Sequence, residues 1–121
     1  MRVVRSADLQ FARLPGRESA DPFAGSPAQG VSVRFARLSP GPRAPHRHPR
    51  SVEVIYVVDG EGTHWQEGDT ERLRPGDVVL VPRGVAHATI PADERGMLLY
   101  CLFPVETLEG NVEELDESIE L

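Results

Sequence analysis

The chain has few residues of several kinds, and each shortage excludes a class of protein. Cys101 is the only cysteine among 121 residues, so no disulfide can form within the chain, which is typical of a reducing compartment. No uninterrupted apolar run approaches the roughly 20 residues that a membrane helix needs. The N-terminal segment also lacks the apolar core of a signal peptide. These absences predict a soluble, cytoplasmic protein with no membrane partner.

Basic charge is also in short supply. The formal net charge is −6, from 13 basic and 19 acidic residues. Residues 106–121 hold seven of the acidic residues and no basic one, so the rest of the chain is close to neutral. A nearly neutral body lacks the basic surface that nucleic-acid binding requires. We therefore expect no nucleic-acid partner, and the length suits a single domain.

Short β-rich segments separated by turn residues occupy the middle of the chain. Residues 31–38 alternate between apolar and polar side chains, as in a half-buried strand. Asp59-Gly60 is typical of a two-residue hairpin, here joining residues 52–58 to residues 62–66. Pro75-Gly76 fits the centre of a type II turn. Many short strands at close spacing predict an all-β, antiparallel sandwich or barrel.

The two ends of the chain differ from this middle part. Residues 1–30 contain one candidate edge strand, residues 9–14, followed by a loop rich in Pro, Gly, Ser and Ala. In residues 105–121 the apolar side chains recur at helical spacing, which predicts a short amphipathic C-terminal helix, with a frayed acidic tail as the alternative. The predicted organisation is an N-terminal arm (1–30), a β-barrel (31–104) and the tail (105–121).

Histidines and a glutamate in the centre of the chain form a candidate metal site. His46 and His48 point to the same side of an extended segment, and Glu53 follows five residues later. His87 lies on a strand that the sheet can bring back to them. Three imidazoles and a carboxylate suit one divalent ion of Mn, Fe, Co, Ni, Cu or Zn, and the lack of thiolates argues against a structural zinc site. A six-coordinate ion would keep two positions open, as a catalytic site needs.

These residues resemble the two motifs of the cupin superfamily. Gly41, His46, His48, Glu53 and Gly60 match the first motif, and Gly76, Pro82, Gly84 and His87 match the second. The resemblance covers residues 31–103 and implies a jelly-roll barrel, a double-stranded β-helix, with His46, His48, Glu53 and His87 as metal ligands. The sequence departs from the two motifs at two places. The loop between Gly41 and His46 is one residue shorter than in the first motif, and Pro91 stands where the second motif ends in Asn.

Other side chains near these motifs have two interpretations each. His64 is predicted to be a catalytic acid or base facing the pocket, with a packed or surface histidine as the alternative. Cys101 is expected to be a small core residue rather than a ligand or redox group. Arg43, Arg47 and Arg50 are expected to be solvated at the surface, with an anion-binding rim as the alternative.

The resemblance implies a metal-dependent protein that acts on a small organic molecule. Oxygenase (dioxygenase) chemistry is the first expectation. A non-redox isomerase, cyclase or lyase acting on a sugar, uronate or keto acid is the alternative, and a non-catalytic ligand-binding cupin is the second alternative. Similarity to small cupins also implies a homodimer, with residues 1–14 and 106–121 as the candidate contacts.

Overall fold

The computed structural model describes residues 1–24 and 29–119, and these form an all-β fold. Within them, no helix is long and apolar enough to cross a membrane. One short 3-10 helix (Ser6–Asp8) precedes the strands. The strands are β1 (Phe11–Leu14), β2 (Arg17–Ala20), β3 (Ser32–Leu38), β4 (His46–Arg47), β5 (Glu53–Asp59), β6 (Gly62–Gln66), β7 (Asp69–Leu73), β8 (Val78–Val81), β9 (His87–Pro91), β10 (Met97–Phe103) and β11 (Glu113–Glu114).

The strands form two facing sheets. One sheet has six strands in the order β1-β2-β3-β10-β5-β8, and the other has five in the order β11-β4-β9-β6-β7. Neighbouring strands are antiparallel. From β3 to β6 the chain passes from one sheet to the other at every connection. This alternation produces the double-stranded β-helix, and it confirms the predicted jelly-roll barrel.

The hairpin predicted at Asp59-Gly60 is wrong, because β5 and β6 lie in different sheets. Gly60 has a φ of +81°, and a Cβ there would collide with the carbonyl oxygen of Gly96. The glycine therefore allows the chain to pass close to the backbone of Gly96 as it crosses from one sheet to the other. The two-residue hairpin occurs instead at Glu67-Gly68, where both φ values are positive and β6 turns into β7.

The apolar core lies between the sheets and follows the predicted strand parity. Alternate residues of β10 are buried, and Ile55 and Val57 of β5 pair beside them while Tyr56 is 43% exposed. On β3 a charged residue belongs to the face that lines the cavity. Arg34, rather than Val33 or Phe35, lines the internal cavity together with Ala36 and Leu38. The register explains this, because Arg34 lies opposite Cys101, an inward residue of β10.

The N-terminal segment is more ordered than its composition predicts. The edge strand is confirmed as β1, but part of the expected loop is β2, which pairs with both β1 and β3. Pro15 and Gly16 form the turn between β1 and β2. Residues 25–28, which belong to the same predicted loop, lie outside the described residues. The N-terminal hairpin therefore extends the six-stranded sheet.

The predicted C-terminal helix is wrong for the described part of the tail, residues 105–119. β11 pairs Glu113 with Arg47 and Glu114 with His46, and Ile119 forms a bridge with Arg43. Gly110, with a φ of +72°, interrupts any helical path. The tail gains hydrogen bonds along the free edge of β4, which a solvated helix with many like charges cannot match.

Candidate metal centre

Short backbone links bring the two motif segments together. β4 pairs with β9 so that His46 lies directly opposite His87. Gly84 adopts a φ of +78°, and its N–H donates to the carbonyl oxygen of His48 over 2.9 Å. A residue with a side chain would be strained in that conformation. The glycine of the second motif thus fixes the loop that carries a histidine of the first.

The four predicted ligands form one compact, buried group, which we call the metal-capable cluster: His46, His48, Glu53 and His87. One donor atom from each side chain lies within 4.8 Å of all the others. The four residues are between 2% and 7% exposed. Glu53 Oε1 lies 2.9 Å from His87 Nε2 and 3.0 Å from His48 Nε2. Ligands at a right angle around an ion, each about 2.1 Å from it, are separated by about 3.0 Å. The cluster could therefore hold a metal ion.

Hydrogen bonds on the far side of two rings determine which nitrogen faces the cluster. His48 Nδ1 lies 2.8 Å from the carbonyl oxygen of Asn111, and His87 Nδ1 lies 3.0 Å from that of Val85. A carbonyl only accepts, so each Nδ1 carries the proton, and in the neutral ring Nε2 presents a lone pair. Each Nε2 can then meet the carboxylate oxygen of Glu53 only by taking up a second proton and donating it, and with both rings neutral two lone pairs would face that oxygen. Neutral rings are therefore favourable here only when a metal ion replaces those protons, and so the donor set fits a metal.

Burial sets the charge state of the remaining members. Burial, with the positive charge of neighbouring groups, lowers the pKa of His46, which stays neutral. Its Nδ1 is buried with no hydrogen-bond partner among the described residues. For Glu53, burial alone would raise the pKa, but the contacts with His48 and His87 outweigh it and the pKa is lowered. Neutral imidazoles and an ionised carboxylate are the forms that bind metals.

Asn111, the chain's only asparagine, holds the ligand loop from the C-terminal tail. It is fully buried. Its Oδ1 accepts from the N–H of Arg50 over 2.7 Å, and its Nδ2 donates to Ser51 Oγ over 2.9 Å. Its carbonyl also orients His48. Sequence reasoning missed this residue, although a neutral Asn after Gly110 in an acidic tail was a usable signal.

A cavity of about 230 Å³ adjoins the cluster. Its walls are mainly apolar, but three arginines reach it: Arg17, Arg34 and Arg43. The expectation of a solvated Arg43 is wrong, because this residue is only 8% exposed. Arg47 and Arg50 are exposed or half-buried as expected, and Arg47 pairs with Glu113 at 2.7 Å on the outside. Arg43 is buried because the tail and the turn before β2 cover it, which local sequence does not reveal.

His64 and Cys101 both lie close to the cluster. His64 is buried, with Nδ1 2.9 Å from Thr89 Oγ1 and Nε2 3.1 Å from Gln66 Oε1. Burial lowers the pKa of His64. Thr89 lines the cavity, whereas His64 lies behind it. Cys101 is a buried wall residue, as expected, and burial raises the pKa of its thiol well above the usual range. The catalytic role of His64 stays a prediction.

Known proteins of similar sequence share this motif region. A family model described as "Cupin domain" matches residues 34–103. The chain is 37% identical over 65 residues to germin-like protein subfamily 2 member 2 of Arabidopsis thaliana, a match that covers 47% of this chain and 30% of the relative. The chain spans about a third of the length of the curated relatives it matches.

Solved structures share the fold over nearly the whole chain. The nucleoside dehydratase Pac13 superposes with a TM-score of 0.78 at 13% identity, covering 95% of this chain and 91% of Pac13. The oxalate decarboxylase of Lactobacillus farciminis superposes with a TM-score of 0.73 at 22% identity, covering 90% of this chain and 34% of the decarboxylase. At these identities the likeness shows the fold alone. The family match spans more than half of the chain, and this protein therefore belongs to the cupin family.

Proposed function

We propose that this protein is a metal-dependent enzyme that acts on a small organic molecule by dioxygenase-type chemistry. The observation that carries the proposal is the convergence of His48 and His87 on the buried carboxylate of Glu53, beside a cavity. With His46 they would hold one divalent transition metal per chain, drawn from Mn, Fe, Co, Ni, Cu and Zn.

The side chains around the site support this chemistry by holding the ligands and excluding water. Val85 and Asn111 fix the tautomers of His87 and His48, so that both present Nε2. The apolar wall shields the reacting groups from solvent. A redox-active metal bound there would supply electron transfer between an organic substrate and O₂. In a dioxygenase reaction of the ring- or chain-cleaving kind, the organic substrate supplies all four electrons that reduce O₂, both oxygen atoms enter the products, and no further reductant is required.

The lining of the cavity favours the oxygenase over the non-redox alternative. Apart from the cluster, the described titratable side chains on the wall are Arg17, Arg34, Arg43 and Cys101. Arginine stays protonated at neutral pH, and the raised pKa of Cys101 keeps it a thiol. None is suited to move protons at neutral pH, as an isomerase, cyclase or lyase requires. His64, the histidine predicted from the sequence to transfer protons, is not on this wall and lies behind Thr89.

Metal analysis with oxygen uptake tests the proposal. Protein purified without chelator should contain one transition metal per chain, and the Fe(II)- or Mn(II)-loaded form should consume O₂ with a member of a panel of short acids, diketones and phenols. Glu53→Gln keeps the side-chain shape and should abolish both results. Bound zinc with turnover but no oxygen uptake would favour the isomerase or lyase, and ligand binding without turnover would favour a binding module.

We also propose that the protein is a homodimer. The supporting observation is a patch of exposed apolar side chains on the outer face of β5 and the edge strand β8: Tyr56, Val58, Val78 and Leu80. This surface differs from the predicted contacts in residues 1–14 and 106–121. Val78→Glu should convert a dimer to a monomer in analytical ultracentrifugation, whereas Glu71→Ala, on the other sheet, should leave the dimer intact.

A further inference from the structure

We propose that the cavity binds a small organic acid, and that the guanidinium group of Arg43 holds the carboxylate of this acid beside the metal-capable cluster. The inference rests on the metal-dependent function proposed above for the same cavity. It adds the chemical class of the ligand and the residue that recognises it.

Arg43 is a buried cation whose donors are mostly unused. Its Nη1 donates to the carbonyl oxygen of Thr89 over 2.9 Å, and its Nε is buried with no hydrogen-bond partner among the described residues. A guanidinium group has five N–H donors. Burial lowers the pKa of Arg43 to about 10, which still leaves the group charged at neutral pH. A buried charge without a counter-charge is costly, and an anion in the cavity would remove that cost.

The other two cavity arginines already have carboxylate partners. Arg17 Nη1 lies 3.0 Å from Glu114 Oε1, and Arg34 Nη1 lies 3.2 Å from Asp21 Oδ2. For Arg43, the residues that the structure describes provide no carboxylate within ion-pair distance. Arg43 is therefore the one cavity arginine, among the described residues, that has no direct ion-pair partner, although Glu114 and Glu53 lie near enough to interact with its charge. The two oxygens of a planar carboxylate, like those of a phosphate, match the paired N–H donors of a guanidinium group.

The Arg43 side chain is held in place before any ligand arrives. Its backbone exchanges two hydrogen bonds with Ile119, of 3.0 and 2.8 Å. Its stem packs on Gly16 in the turn between β1 and β2, where a Cβ would lie only 3.1 Å from Arg43 Cγ and Nε. An ordered donor loses little conformational entropy when it binds. The arrangement is thus a preformed anion-recognition group.

The size and lining of the rest of the cavity restrict the carbon skeleton to which the carboxylate is attached. A volume of about 230 Å³ is below the roughly 300–1,000 Å³ of pockets for drug-sized ligands. The large apolar residues of the wall are Leu38, Ile55, Leu99, Phe103, Leu108 and Val112. A short apolar carbon skeleton fits this wall, whereas a second large charged group such as a triphosphate does not. We therefore expect carboxylate recognition rather than phosphate recognition.

A matched pair of probes tests the inference by calorimetry. Isovalerate and isovaleramide have nearly the same shape and differ in charge. Metal-loaded wild-type protein should bind isovalerate more tightly than the amide. Arg43→Gln should weaken isovalerate binding by about tenfold to a hundredfold, the range for hydrogen bonds to charged groups, and should leave isovaleramide binding unchanged. Arg47→Gln, an exposed arginine four residues along, should behave as wild type.

Equal affinity for the two probes, or an Arg43→Gln protein that binds isovalerate as wild type does, would overturn the proposal. A purely structural role for Arg43 would weaken both probes alike. If Arg43→Gln does not fold, Glu114→Gln provides the test, because it removes a negative charge that acts on Arg43 and should tighten isovalerate binding several-fold. Unchanged or weaker binding in that variant counts against the proposal.

Metal content measured on the same samples separates this inference from the proposed function. Protein without stoichiometric metal that still shows Arg43-dependent isovalerate binding would reject the metalloenzyme and support the acid site. Metal-loaded protein that binds isovalerate and isovaleramide with equal affinity would reject the acid site but would not contradict the proposed metalloenzyme.

Discussion

The motif segments and the chain ends build the same cavity in different ways. Residues 41–60 and 76–87 supply all four members of the metal-capable cluster. The ends supply the groups that hold and cover it, such as Arg17 from the N-terminal hairpin and Asn111 from the tail. Asn111 orients His48 across 63 positions of sequence. The identity of the donors and their orientation are thus encoded in different parts of the chain.

The two regions also differ in the kind of interaction that they use. The cluster is buried and depends on the loss of water around neutral imidazoles and one carboxylate. The ends use exposed or half-exposed ion pairs, such as Arg47–Glu113 at 2.7 Å, which contribute roughly 0–1 kcal/mol each. Buried hydrogen bonds from Asn111 are therefore the stronger attachment of the tail.

Removing a donor from the motif region should have the largest effect. Loss of a group that supports a metal ligand typically weakens metal affinity by up to roughly 100-fold. Loss of a ligand itself should cost more, so we expect His46→Gln to weaken metal affinity by more than that factor. Arg47→Gln is the matched control, since Arg47 is adjacent in sequence but faces outward. Competition with a fluorescent chelator measures both affinities, and equal affinity in the two variants would contradict the ligand assignment.

Removing the support from the chain end should have the next largest effect. Asn111→Ala removes the buried hydrogen bond to Ser51 and the acceptor of the part-buried N–H of Arg50, which should lower the free energy of unfolding by about 1–3 kcal/mol. Metal affinity should fall by about 10- to 100-fold because the His48 loop loosens. Denaturant titration and metal competition measure these, with the exposed Glu109→Ala as control. Full metal affinity in Asn111→Ala would show that the motif region orients its ligands unaided.

Acid should destabilise the metal-free protein through its buried histidines. The pKa values of His46 and His64 are lowered in the folded state, so only the unfolded chain takes up their protons as the pH falls below 6.5. Folding stability should fall by up to about 1.4 kcal/mol per pH unit for each histidine. Glu53, with a lowered pKa, adds a further loss below pH 4.5. Urea titrations of chelator-treated protein between pH 7 and 5 measure the slope, and a flat profile would contradict the burial of neutral imidazoles.

Changing the group behind the cavity should have the smallest effect on catalysis. His64→Asn keeps a polar side chain beside Thr89, and metal content should stay stoichiometric. We expect the turnover number to fall by less than about tenfold, whereas loss of a general acid or base typically costs 10²–10⁴-fold. Steady-state kinetics with the substrate found by oxygen uptake gives the value. A larger loss with a shifted pH profile would establish proton transfer by His64.

Much of the fold and the donor set could be predicted from the sequence, and the failures have a common cause. The strands and the cluster follow from alternation and spacing within short segments. Asp59-Gly60 predicts positive φ, which is correct for Gly60, but it cannot tell a hairpin from a passage between sheets. The tail has helical periodicity, yet the free edge of β4 makes an extended strand the better solution. Each failure concerns which distant segment becomes the partner.

By itself the sequence determined the all-β class, the three histidines and glutamate that could hold a metal, and the glycines that their loops require. These depend on side-chain parity and backbone conformation, which act over a few residues. Only the tertiary structure decided that Arg43 is a buried cation without a carboxylate partner and that Asn111 orients His48. Burial and hydrogen bonding depend on which parts of the chain come to cover a residue, and here the covering segments are its two ends.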